Sequence, residues 1–176
     1  KAAGRITEQL VQTGNKFGYI TDTDKDEAVG QQRKAGVVDT LARYGRELQP
    51  KCVKTGDFTL ESGYEAAREL FQEQGDVDTP ICATDTMAAG AMTWLKENGY
   101  RIPQDVQVAG IGDSPLGKIL EPKLTTIHFY YKTSGMEAAE MLTSLMESGN
   151  GGVCKEIKMG CELVLRGSHR DPVKSK

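Results

Sequence analysis

The chain has 176 residues, of which 38% are hydrophobic and 27% charged, with a formal net charge of -3. That balance excludes a collagen-like or disordered polymer and supplies enough apolar material for a folded core. It leaves no clustered Lys and Arg to neutralise phosphates, so these residues alone are not expected to bind DNA.

Hydrophobic periodicity alternates between helix and strand along the chain. Ile6, Leu10 and Val11 line one helical face, and KFGYI (16–20) follows as a strand. The polar loop TDTDKDEAVG leads into a helix expected to turn Ala35, Val38, Leu41 and Ala42 inward, ending at Gly45. A short strand around Cys52 and Val53 and a TGDF turn precede a helix with Leu60, Tyr64, Ala67, Leu70 and Phe71 on one face, closed by Gly75. The unit then repeats as strand PICAT (80–84), helix 86–99 and strand VQVAGI (106–111). After LTTIHF (124–129) comes a helix with Met136, Ala139, Leu142 and Met146 on a face, then the ESGNGG loop and two strand-like pieces, CKEIKM and CELVLR. Alternating strands and helices call for a parallel sheet, because parallel strands need long crossovers; the expected fold is an open α/β sandwich with helices on both faces.

In such sheets ligands bind beyond the carboxyl ends of the strands. The loops there read TDTDKDEAVGQQR (21–33), TGDF (55–58), ATDT (83–86) and GIGDSP (110–115). Carboxylates, hydroxyls, an arginine and an aromatic suit a sugar, whose hydroxyls take planar hydrogen-bonding groups while its ring face takes an aromatic. Composition alone does not single out that ligand. Cys52, Cys82, Cys154 and Cys161 lack CxxC spacing and are expected to be buried and reduced, and no metal or cofactor is expected. The lack of a long apolar run or of a signal-peptide pattern in KAAGRITEQL points to a cytoplasmic protein that does not enter the membrane.

The run from Cys82 to Thr126, CATDTMAAGAMTWLKENGYRIPQDVQVAGIGDSPLGKILEPKLTT, resembles the LacI/GalR family of transcriptional repressors in its T-D-x-x-A-x-G-A helix, x-P-x-D-V turn, V-x-G strand and P-x-L-T-T element. The closing ELVLRGS is similar to the family's ending. CATDT and HFYYKTSG look most like sucrose operon repressors, while CATDT with the G-x-x-P-L run is also similar to trehalose repressors. The resemblance implies a type I periplasmic-binding-protein-like fold, mostly its C-terminal subdomain. Residues 1–128 would form that effector-binding subdomain, 129–160 a helix and strand returning to an absent N-terminal subdomain, 161–168 the subdomain's final strand and 169–176 a flexible tail. It implies no enzymatic activity, a sugar or sugar phosphate effector, operator DNA bound through an absent N-terminal helix-turn-helix head, and a homodimer. A periplasmic sugar-binding protein of the same fold is the alternative.

By that resemblance Arg33 grips sugar hydroxyls and Phe58 packs on the sugar, with the solvated helix face and the core anchor as their ordinary roles. Thr84 and Asp85 are expected to face the cleft while capping the following helix. Many relatives carry two adjacent acids where this chain has Gly112 and Asp113, so either Asp113 takes over as the acidic ligand or the effector needs no acid there. Tyr130, at a crossover, is a further candidate for effector contact. Met87, Trp94 and Leu120 are expected at the dimer interface, although a core role is the default for apolar residues on such a helix.

Overall fold

The computed structural model describes residues 2–23, 26–147 and 155–172. Cys154, most of the ESGNGG loop and residues 173–176 lie outside them. Helix α1 (Ala2–Leu10) leads to strand β1 (Phe17–Thr21), a π-helical turn (Glu27–Arg33) running without a break into α2 (Lys34–Arg43), a 3-10 turn (Pro50–Cys52) and β2 (Val53–Thr55). Then come α3 (Leu60–Glu73), β3 (Thr79–Cys82), α4 (Asp85–Glu97), α5 (Pro115–Ile119), β4 (Thr126–Phe129), α6 (Tyr131–Glu147) and β5 (Cys161–Val164).

Strand β1 is paired in parallel with β2 on one side and β3 on the other, with Ile20 opposite both Lys54 and Cys82. The expected strand at 106–111 takes the next place but joins the sheet through Ala109, which bridges in parallel to Ile81 and to Thr125. Its backbone is held there by Cys82 N–H to Ala109 O at 2.8 Å and Gly110 N–H to Thr125 O at 3.0 Å. Strand β5 closes the edge antiparallel to β4. The order is therefore β2, β1, β3, the Ala109 segment, β4, β5. Helices α1 and α2 pack together, as do α3 and α4; the β1–α2–β2 crossover runs one way along the sheet and the β2–α3–β3 crossover the other, which places these two pairs on opposite faces. Central strands covered on both faces read as unbroken apolar runs, and β1 and β3 are buried at every position.

Several expected faces are rotated. Helix α2 turns Val37, Thr40 and Leu41 inward, while Ala35, Val38 and Ala42 face out. The stripe is set by close approach to α1, where Gly36 lies against Ala3 and Gly4 against Thr40. In α3, Ala66, Ala67, Leu70 and Phe71 are buried, but Leu60 is exposed and Tyr64 half-buried, because Gly63 takes the position nearest α4. Helix α6 buries no residue: Met136, Ala139, Leu142 and Met146, expected on an inward face, are all exposed. Residues 155–160 form no strand. Residues 169–172 are not a loose tail. The hydroxyl of Ser168 donates to Val108 O at 2.6 Å and accepts from Thr125 N–H at 2.8 Å, and Arg170 pairs with Asp78 at 2.9 Å.

Cys52 and Cys82 are buried free thiols and Cys161 is half-buried. No helix among the described residues is long and apolar enough to cross a membrane.

Candidate functional site

The carboxyl ends of β2, β1, β3, the Ala109 segment and β4 lie along one edge of the sheet, and the loops leaving them carry the expected site residues. Arg33 is the last residue of the π-helical turn, half-buried. Its guanidinium donates to the carbonyl of Ala83 at the end of β3 and lies over the Phe129 ring, 5.8 Å from its centroid. It lines a cavity of about 300 Å³ with Phe129, Tyr130, Tyr131, Ser134, Met159 and Gly160. Tyr131 is tilted at 60° against Phe129, so the wall beside Arg33 is largely aromatic. A planar cation braced against a ring face and a carbonyl keeps its remaining N–H groups in a fixed orientation, the arrangement suited to neighbouring hydroxyls.

Phe58 is no core anchor: it is 39% exposed and holds φ at +69°, a left-handed conformation uncommon for a bulky residue. The turn beneath it is fixed by Asp57, whose carboxylate accepts from Thr59 N–H at 3.2 Å and Thr59 Oγ1 at 2.6 Å, bonds that hold its pKa below the usual carboxylate range. Such local strain is found where a side chain is presented for use.

Thr84 caps α4, its hydroxyl accepting from Met87 N–H at 3.3 Å. Asp85 turns away from solvent and is 2% exposed. One of its oxygens accepts from Ser114 N–H and the other from the Thr126 hydroxyl, each at 2.6 Å. Burial raises its pKa against the opposing pull of these bonds. With each oxygen bonded inside the fold, Asp85 fastens the 110–114 turn to β4 and β3.

Asp113 is likewise enclosed. Arg166 donates to Oδ1 at 2.5 Å, His128 Nδ1 lies 3.0 Å from Oδ2 and Lys118 Nζ lies 3.6 Å from the same oxygen. Burial alone would raise its pKa, but the Arg166 and His128 contacts and the Lys118 charge outweigh it and hold the carboxyl low. Arg166, His128 and Lys118 together fix the orientation of this carboxylate, the acid expected to meet the sugar. Tyr130 is exposed and bonds Glu162 of β5 at 3.1 Å, while lying edge-on to His128.

Met87 and Trp94 belong to this chain's own core rather than to an outward surface. Met87 is fully buried beneath α3, and Trp94 is 6% exposed with Phe71 and Tyr100 stacked around it. Leu120 is half-buried against the core, and the apolar group presented outward beside it is Ile119, 79% exposed.

Sequence reasoning missed Phe129, Tyr131, His128 and Arg166. Strand alternation offers a signal for Phe129 and His128, since it sends Ile127 and Phe129 to one side of β4 and Thr126 and His128 to the other. Nothing local in ELVLRGS marks Arg166 as Asp113's partner, because the pairing joins residues 53 positions apart.

Residues 7–169 match the family of periplasmic binding protein-like domains. The chain is 34% identical over 138 residues to the HTH-type transcriptional regulator CelR of Thermobifida fusca, covering 78% of this chain and 41% of that protein. It is 33% identical over 170 residues to the HTH-type transcriptional repressor CytR of Escherichia coli K12, covering 96% of this chain and 49% of that one. A solved complex of the transcriptional regulator CelR with cellobiose superposes with a TM-score of 0.85 at 28% identity, over 95% of this chain and 52% of that chain. The chain thus spans about half the length of these regulators. It belongs to the periplasmic binding protein-like family, as a domain of the kind with which LacI/GalR-type transcriptional regulators bind effectors.

Proposed function

We propose that the chain forms most of the C-terminal lobe of a cytoplasmic, sugar-responsive repressor of a sucrose or fructoside utilisation operon. Residues 1–128 and 161–172 make the lobe, and 129–160 pass to a second lobe that completes the cleft. Operator DNA would be held by a separate head in a homodimer, with the exposed Ile119 and half-buried Leu120 as the surface of contact. Arg33 is the observation that carries the reading. It is a half-buried cation braced on Ala83 O and Phe129, beside an aromatic cavity at the ligand-binding edge of a parallel sheet. The sucrose assignment draws support from position: the two segments that resemble sucrose repressors, CATDT and HFYYKTSG, supply Ala83 beneath Arg33 and Phe129 to Ser134 around the cavity.

The test is calorimetric titration of the full-length protein with sucrose, fructose, trehalose 6-phosphate and cellobiose. Sucrose or fructose is expected to bind, and Arg33→Ala to weaken it by roughly ten- to a hundredfold, the loss of charge-assisted hydrogen bonds of about 1.5–3 kcal/mol. Arg33→Lys, which keeps the charge without the planar fork, should also bind poorly. Equal affinities in wild type and both variants would return Arg33 to an ordinary surface role; tighter binding of cellobiose or trehalose 6-phosphate would displace the sucrose assignment.

A further inference from the structure

The turn 110–114 is held by more than its own hydrogen bonds. Gly112 has φ of +139° and Asp113 of +51°, so two successive residues sit in the left-handed half of backbone space. Three successive amides of the turn are engaged: Gly112 N–H with Ile127 O at 2.8 Å, Asp113 N–H with Thr126 Oγ1 at 3.2 Å and Ser114 N–H with Asp85 at 2.6 Å. The Asp113 side chain is in addition gripped from two separate parts of the chain. Arg166, beyond β5, bonds it while also donating to Leu124 O at 2.9 Å, and His128 holds its other oxygen from the end of β4. His128 then meets Tyr130 edge-on at 5.2 Å, and Tyr130 bonds Glu162 on β5. The charged groups facing His128 include Asp113, Lys118 across the same oxygen, and Glu162, its cross-strand partner on β5.

We propose that Asp113 is a positioning residue, clamped by Arg166 and His128, that ties the 110–114 turn to the strands leading out of and back into this lobe. Placing that turn at the effector cleft rests on the reading above; the clamp itself does not. Occupancy at the turn would then be felt where β4 and β5 leave the lobe, and movement of those strands would be felt at the turn. A contiguous set of contacts is not by itself coupling, so coupling is what must be measured.

The clamp is testable in this chain without ligand, by amide hydrogen exchange followed by NMR. In His128→Leu the amides of Gly112, Asp113 and Ser114 are expected to exchange at least about tenfold faster, as the loss of one charge-assisted hydrogen bond implies. Those of Tyr19, Cys82 and Val108 should be unchanged. His128→Asn, which restores an N–H donor near the same place, should recover most of the protection. Arg166→Lys and His128→Leu act on one carboxylate, so their combined effect should depart from the sum of the two. Unchanged turn protection in His128→Leu, or acceleration spread evenly over the sheet, overturns the proposal. In parallel, sucrose titration of the full-length protein carrying His128→Leu should show weakened binding, with His128→Asn near wild type. Failure of the wild type to bind any sugar would count against the proposed function while leaving the exchange result to decide the clamp.

Discussion

A carboxylate at a strand-to-helix switch can face outward to a ligand or inward to loose backbone donors, and Asp85 takes the inward course. Sequence marks the position but not the choice, because Thr126 and Ser114, which hold its oxygens, lie 41 and 29 residues away. The same holds for Asp113 and Arg166. Arg33 stands out only through the family resemblance, because its own segment, QQRKAG, reads equally as a solvated helix face. Met87 marks the opposite failure: helix periodicity identifies it as apolar, but only packing shows that it lies under α3 and not on an outer surface. Met87→Asp should therefore unfold the lobe rather than split a dimer. An uncompensated charge in that position is expected to cost at least about 3 kcal/mol. Urea denaturation would report it as a large drop in midpoint, and an unchanged midpoint with a loss of dimer mass would return Met87 to the surface.

The elements themselves were largely read correctly, since strands β1 and β3 and helices α3 and α4 follow the apolar periods of their segments. Which way a helix turns depends on its neighbour, and small residues decide it. Gly63 and Gly90 let α3 and α4 meet at backbone distance: a Cβ on Gly90 would lie 2.0 Å from Leu60 O, and one on Gly63 would lie 2.2 Å from Met87 O. Because those contacts are backbone, no side chain can give way. Gly90→Ala is expected to destabilise by about 2–3 kcal/mol despite its gain in helix propensity, an overpacking effect measurable by thermal or urea melting. Melting equal to wild type would mean that the two helices can part without cost. Helix α6 shows the opposite condition. It buries nothing, and a helix of 17 residues without packing is marginal in water. In this chain by itself its amides should exchange far faster than those of α3 and α4, and the second lobe proposed above should slow them by covering it. Protection equal to α3 in the isolated chain would contradict its exposed setting.

At the scale of the whole molecule, the polar ending that reads as a frayed tail ties together the amino-terminal ends of neighbouring strands. Ser168 pairs with Val108, Lys123 and Thr125 through backbone and hydroxyl. His169 bonds Thr125 and Arg166 O, while Arg170 reaches Gln107 and Asp78. Asp78 is the hub, accepting also from the backbone N–H groups of Asn15 and Lys16, each at 3.0 Å. Its burial by itself would raise its pKa, but the Asn15 amide, the Arg170 guanidinium, the Lys16 amide and the Thr79 hydroxyl together bring it below the ordinary value of 3.8. A carboxyl lowered on folding adds stability that is present above its unfolded pKa and is lost as pH falls through its folded one. Asp85, raised by burial, has the reverse sign: its contribution favours the fold below its unfolded pKa and fades as pH rises through its folded value. Asp78→Asn should consequently lower the urea midpoint at pH 7, the gap from wild type should close as pH drops below the ordinary carboxylate range, and protection of Val108 and Thr125 amides should fall with it. Asp85→Asn should show a gap that widens toward acid, because the neutral carboxyl that it replaces is the form the buried site favours. A constant Asp78→Asn gap at all pH values would mean that the C-terminal segment is held by shape and backbone bonds, without help from the charge on Asp78.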